Sequence, residues 1–339
     1  MALELPVAHC DGGSIGRRKF VALLAAMLMA PHGSGQAQQA KGRIRIGWIA
    51  IGNARSPEFL AAVKEGLREL GYMEGSAITF EERWPKDVHD RVPEQVQELL
   101  ALDVRVIVAQ GPIVPMVRRL VQSTPVVFGY SGDPVEAGVV ASFARPGGNF
   151  TGGTFMSYEV NGKRLEILHE AFPQIGRIGI LSNPLHPGEP RELQQTLLAA
   201  EQRGLKCTYV EMRSAAELTA AFERLDGEGT NALMVLPDAL AMNLRMDIIE
   251  LARRRRWPSV SGWALFARSG GTMTYGPNLQ ESFRRLAPYI DKILKGVSPA
   301  DLPIEQPTRF ELVVNLKAAR ALGLAFPQSV LSRADEVIE

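Results

Sequence analysis

The chain has 339 residues, enough for two domains of ordinary size rather than one core. A formal charge of +1 gives no basic footprint for nucleic acid, and 46% hydrophobic with 22% charged residues is an ordinary globular balance. The only cysteines, Cys10 and Cys207, exclude a disulfide framework or a Cys/His metal cluster, so no cofactor is expected.

Residues 1–37 read as a cleaved signal peptide. "GRRKFVALLAAMLMAP" carries a basic start at Arg17, Arg18 and Lys19, then an apolar run from Phe20 to Ala30 that is too short to span a bilayer. "GSGQA" supplies the small residues of a cleavage site. The Arg pair fits either a Sec or a twin-arginine leader. No cysteine follows the run to carry a lipid anchor, so the mature protein is predicted to be exported to the periplasm. Cys207, on the strand-like stretch 205–212, then remains as a lone buried thiol.

From Arg43, short apolar runs alternate with amphipathic stretches, the pattern of βα units around parallel sheets. "RIRIGWIAIGN" predicts a strand ending in a turn. Ser56 then caps a helix over Glu58 to Leu70, with Phe59, Val63, Leu67 and Leu70 on one face and a stop at Gly71. "AITFEERW" predicts a strand, "DRVPEQVQELLAL" a helix, and "VRVIVAQG" and "TPVVFGY" buried strands.

The second half repeats this order, with "GRIGILSNP", "LQQTLLAAEQRGL", "KCTYVEM", "AAELTAAFERL", "NALMVLPD" and "WPSVSGW" as counterparts. Gly47 to Gly179 and Pro125 to Pro258 are each about 130 residues apart, so one offset holds throughout. The predicted fold class is α/β, with two similar doubly wound parallel-sheet lobes joined by a multi-strand hinge. One lobe takes 43–153 plus about 277–302, the other 154–276 plus about 303–339. "ARPGGNFTGGTF" suits a hinge crossing. "GGTMTYGPN" leads into one long amphipathic helix, Leu279 to Leu294, and the chain ends in a helical cover after the extended "PIEQPTRFELVVNL".

Ligands of open α/β sheets bind beyond the carboxyl ends of the strands. In the first lobe that edge offers Asn53, Ser56, Gln110, Gly111, Tyr130, Ser131 and Asp133; in the second it offers Asn183, Asp238 and Trp263, with Tyr275 at a crossing. Short polar side chains, free N–H groups at helix starts and a few aromatics suit a small organic ligand with a charged end and a flat body. Each residue alone is equally well explained as a cap or turn.

Asp133, in "VVFGYSGDPVEAG", has no partner histidine or second carboxylate for hydrolytic catalysis. It fits a ligand hook that accepts an ammonium group, or the cap of a following helix. "GGNFTGG" lacks the residues of a phosphate loop. Arg253 to Arg256 read as a solvated helix end, and the isolated His186 as a surface residue.

"AAVKEGLRELGYMEG", "PVVFGYSGDPVEAGVVASFARPGGNFTG", "KRLEILHEAFP", "GPNLQESFRRLAPYIDKILKG" and "ADLPIEQPTRFELVVNLKAARALGL" together resemble the ABC transporter substrate-binding family related to tryptophan- and tyrosine-binding receptors. The resemblance implies a type I periplasmic binding protein, not an enzyme, that closes on a small solute and delivers it to a membrane permease. It also implies that Ser131 to Pro134, Asn183-Pro184 and Pro237-Asp238 line the cleft. A monomer is expected. The alternative is a two-lobed α/β enzyme of racemase or glycosyl transferase type using the same cleft. An effector domain of a LacI-like repressor would need a helix-turn-helix where the leader stands.

Overall fold

A computed structural model of the chain describes residues 43–51, 58–85, 89–155 and 158–339. The predicted leader lies outside the described residues, as do Asn53, Ser56 and the predicted cap of the first helix.

The first lobe runs β1 (Ile44–Ala50), α1 (Glu58–Glu69), β2 (Ile78–Arg83), α2 (Val92–Ala101), β3 (Val106–Gln110), α3 (Val114–Leu120), β4 (Val126–Tyr130) and β5 (Phe150–Thr154). Its sheet is parallel throughout, in the order β2-β1-β3-β4-β5. Alternate residues of each strand feed opposite faces, as the period of two requires. Val126, Phe128 and Tyr130 of β4 pack toward α2 and α3, whereas Val127 packs toward α1.

The second lobe runs α4 (Asn161–Ala171), β6 (Arg177–Ser182), α5 (Glu189–Glu201), β7 (Lys206–Glu211), α6 (Leu218–Gly227), β8 (Ala232–Val235), α7 (Ala239–Asn243), α8 (Arg245–Arg254), β9 (Ser259–Ser261), α9 (Ala264–Arg268) and β10 (Met273–Pro277). Then come α10 (Leu279–Arg284) and α11 (Ala287–Leu294), which contribute Phe283, Ala287 and Ile290 to the first lobe's core. The chain ends with β11 (Phe310–Asn315), α12 (Leu316–Ala321), α13 (Gln328–Leu331) and β12 (Glu336–Ile338). The second sheet is ordered β12-β11-β10-β9-β8-β6-β7, with only β10–β11 antiparallel. Over β7-β6-β8-β9-β10 it repeats the order of the first, so the duplication legible in the sequence is present in the topology.

Four local expectations are corrected. The long helix predicted over Leu279 to Leu294 is two helices, because Pro288 stands in the first turn of α11 and its ring excludes a continuous ladder. "FTGGT" is strand β5 rather than free hinge: Gly152, at φ +145°, sits where a Cβ would come within 2.1 Å of the Phe128 carbonyl oxygen. The C-terminal cover includes strand β12, paired with β11. Leu70, expected on the buried stripe of α1, is 44% exposed, and Leu60 and Gly66 take up the core face with Val63 and Leu67. Gly66 lets α1 approach α11 closely, since a Cβ there would lie 2.7 Å from that of Ala287.

The backbone passes between the lobes after β5, after β10 and before β11. Two of these segments brace each other, with Thr154 N–H donating to Glu305 O at 2.8 Å and Glu305 N–H to Gly152 O at 2.9 Å. Among the described residues no helix is long and apolar enough to cross a membrane.

Candidate functional site

Parallel strands bring their carboxyl ends to one edge of each sheet, and a cavity of about 90 Å³ lies between the two edges. From the first lobe it takes Phe59 of α1, Trp84 beyond β2, Gln110 and Gly111 beyond β3, and Ser131 beyond β4. The second lobe contributes Met242 and Asn243 of α7, Arg245 of α8 and Trp263 before α9. Phe155 and Phe283 come from the connecting segments. A recess of about 320 Å³ shares Phe59, Arg245 and Trp263 with it.

Four of the sequence-predicted residues therefore meet in one place: Gln110, Gly111, Ser131 and Trp263. Gly111 adopts φ +78°, a conformation that suits glycine at the strand end. Beside them the wall is mostly aromatic. Phe283 stacks on Phe59 at 4.6 Å between centroids, meets Phe155 at 4.9 Å, and leans on Trp48 at 6.2 Å. Arg245 is held in place by Ser269 Oγ (2.8 Å) and the Met242 carbonyl (2.6 Å). Phe59 falls on the apolar stripe of its helix, where the sequence does not distinguish a cavity wall from core. Trp84 and Phe155 directly follow β2 and β5 and obey the strand-end rule, which could have found them; Arg245 and Phe283, on helices α8 and α10, fall outside it. Phe155 and Phe283 lie on segments through which the chain passes between the lobes.

The other predicted residues among those described stand elsewhere. Tyr130, expected to pack on a ligand ring, is fully buried on the α2/α3 face of β4 and its hydroxyl has no partner. Burial, with the Asp133 carboxylate a smaller influence, pushes its phenol well above the usual range. Tyr275 leans on Phe310 at 6.1 Å, and its carbonyl accepts from Arg164 Nε at 2.7 Å. Asp238 caps α7, accepting from Ala241 N–H at 2.7 Å, and its other oxygen accepts from Asn183 Nδ2 at 2.6 Å. Both are thus committed within the second lobe.

Asp133 caps a turn and not a helix: Oδ1 accepts from the N–H groups of Val135 (2.8 Å) and Glu136 (3.2 Å). Its Oδ2 faces Arg191 Nη1 of the second lobe at 3.4 Å. His186 is not a surface residue. It is 5% exposed and pairs across the cleft with Ser131, Nε2 to Oγ 2.8 Å. Behind it lies a buried polar cluster of Asn161, Arg164, Glu189 and Glu192. Burial raises the Glu192 carboxyl to about 8 despite the nearby Arg164 guanidinium, and lowers Arg164 to about 10. Arg164 also explains Gly262, where a Cβ would lie 2.6 Å from its Nη2. Burial raises the half-buried Cys207 thiol to about 11, consistent with an inert thiol.

The family profile for ABC transporter substrate binding proteins matches residues 53–338. The chain belongs to this family. The family is one of binding proteins, which sets aside the alternative of a two-lobed enzyme. The tyrosine-binding protein of Clostridioides difficile (strain R20291) is 22% identical over 201 residues, covering 59% of this chain and 57% of that relative, so the match spans little more than half its length. A conserved domain protein from Vibrio cholerae O1 biovar El Tor has a TM-score of 0.80 at 22% identity, over 87% of this chain and 99% of that one. An ABC domain from Streptococcus pneumonia, solved in complex with L-Trp, gives 0.81 at 21% identity over 87% and 100%. Both share the two-lobed fold of this substrate-binding protein.

Proposed function

We propose that this substrate-binding protein is the solute receptor of an ABC importer. It is exported to the periplasm by a cleaved signal peptide at 1–37, through Sec or Tat, and acts as a monomer that presents its solute to a permease in the inner membrane. The solute is a small organic molecule, an amino acid or an aromatic or carboxylate compound. Two lobes close on it by hinge motion: 43–153 with 277–302, and 154–276 with 303–339.

One observation carries this reading: the interlobe cavity sets five aromatic rings (Phe59, Trp84, Phe155, Trp263, Phe283) against a few polar groups. Rings supply broad apolar area at low conformational cost, and an aromatic pair adds about 0.5–1.5 kcal/mol beyond area burial. Gln110, the Gly111 backbone, Ser131 and Arg245 are the groups that orient the solute's polar end, and Asn53 and Ser56, which follow β1 in sequence, join them as proposed contacts. Asp133, Asn183, Asp238, Tyr130 and Tyr275 shape and brace the walls. The tyrosine-binding relative and the L-Trp complex support an aromatic amino acid as the first candidate.

Thermal unfolding of the full chain against amino acids, aromatic acids and purines tests the reading. A true solute at about 100 times its Kd stabilises by about 2.7 kcal/mol and raises Tm by several degrees. If no compound in those classes raises Tm at millimolar concentration, the receptor reading fails.

A further inference from the structure

Two contacts join the lobes beside the cavity. Ser131 follows β4 of the first lobe and His186 lies between β6 and α5 of the second; they are 9% and 5% exposed. Their Oγ and Nε2 atoms are 2.8 Å apart. At the rim, Arg191 of α5 reaches back across the cleft to Asp133 (3.4 Å) and Glu136 (2.8 Å), with its guanidinium over the Tyr158 ring at 4.9 Å. The arginine arm is 41% exposed, so it is solvent-screened and contributes little. The buried Ser131–His186 pair is the contact that matters. Ser131 lines the cavity and His186 does not.

We propose that His186 is a positioning residue: its imidazole holds Ser131, and through it the first lobe, in the closed arrangement, making solute capture sensitive to protons without touching the solute. This rests on the interlobe-capture reading above.

The surroundings of the imidazole set the sign. Its own loop holds it through His186 N–H donating to Asn183 O at 3.0 Å. Asp238, at the start of α7, and Glu189, on α5, draw a proton toward the ring. Glu189 is itself held by Ser182 Oγ and Tyr209 OH, both at 2.8 Å, and beyond it Glu192 lies against Arg164 of α4. From the first lobe the ring meets the neutral Ser131, with the Asp133–Arg191–Glu136 group at the rim. Burial is the largest influence and holds the imidazole below its ordinary value of 6.5, against the pull of the two carboxylates. Opening returns the ring to water and lifts that depression, while Asp238 and Glu189 of its own lobe stay beside it. Closure therefore releases a proton, is fully supported above the ring's value in the open form, and weakens as pH falls through and below it.

Energy transfer between dyes on the two lobes reads closure directly. Exposed Met73, beyond α1, and Met246, on α8, accept Met73→Cys and Met246→Cys in the full chain carrying Cys10→Ser; the hindered Cys207 labels slowly. Titrated without added solute from about pH 8 to about pH 5, the parent is expected to lose its closed population several-fold. Without solute the closed form is a minor fraction; His186→Gln, whose amide holds Ser131 but does not titrate, keeps across the range the closed fraction that the parent has at about pH 8. His186→Ala and Ser131→Ala have a smaller closed fraction than the parent at about pH 8 and do not change with pH, while their unfolding midpoints stay within a few degrees of the parent. The proposal is overturned if His186→Gln keeps the parent's pH profile, or if Ser131→Ala is as closed as the parent at about pH 8. The solute panel is independent of this readout. A solute that stabilises all variants alike sinks only the latch, whereas a titrating latch with no stabilising solute sinks only the receptor reading.

Discussion

Trp263 and Tyr130 sit at equivalent places, at or just past the end of a strand, yet only Trp263 reaches the cavity. Tyr130 is the last residue of β4 and shares the parity of Val126 and Phe128, which points its ring into the α2/α3 layer. Parity does not separate them, since Trp263 shares the parity of Ser259 and Ser261; β9 ends at Ser261, two residues before Trp263, which frees that ring from the ladder, whereas Tyr130 is still held in β4. Because the buried Tyr130 hydroxyl has no partner, Tyr130→Phe is expected to be neutral or to stabilise by about 1 kcal/mol in urea unfolding, with solute binding unchanged. Trp263→Ala removes a half-buried cavity wall, so solute-induced stabilisation should fall much more than the stability of the protein without solute. Equal loss of both would make Trp263 a core residue and nothing more. Asp238 and Asn183 show the limit of single-residue reading: carboxylate and amide face the cleft in sequence order, but they bond each other, and their remaining oxygens accept from the N–H groups of Ala241 on α7 and of Leu185.

Between elements, the least legible feature is the buried charge joining α4 and α5. Arg164 and Glu192 lie on helices whose sequences look ordinarily amphipathic, and nothing local marks either residue as buried. Glu192 Oε2 lacks a hydrogen-bond partner, and its carboxyl, raised to about 8, favours the protonated form in the fold. Its stabilising contribution is present below the ordinary carboxyl value and is lost as pH rises toward about 8. Glu192→Gln is therefore expected to match the parent near pH 5 and to exceed it by on the order of 1 kcal/mol near pH 9 in urea unfolding. A variant that loses stability at pH 9 would mean that Glu192 is needed as an anion to balance Arg164. Helices and central strands were legible from hydrophobic period and caps. Edge strands β5 and β12 were not, because glycine-rich or charged short segments become strands only when a neighbouring strand supplies the ladder.

For the molecule as a whole, the repeat at one offset made the two lobes legible. The sequence could not show how they face each other, and that arrangement decides the site. His186 and Ser131 are 55 residues apart and belong to different lobes, so their pairing has no local signal. The same is true of Phe283, which reaches the cavity from α10 in the segment that crosses back to the first lobe. Closure over a solute is tested most directly by X-ray scattering from the full chain, with and without the solute that the stabilisation panel identifies. If the solute is captured between the lobes, the radius of gyration contracts on addition and saturates at one solute per chain, and Trp263→Ala shows no contraction at the same concentration. Saturable binding with an unchanged radius of gyration would contradict capture between closing lobes.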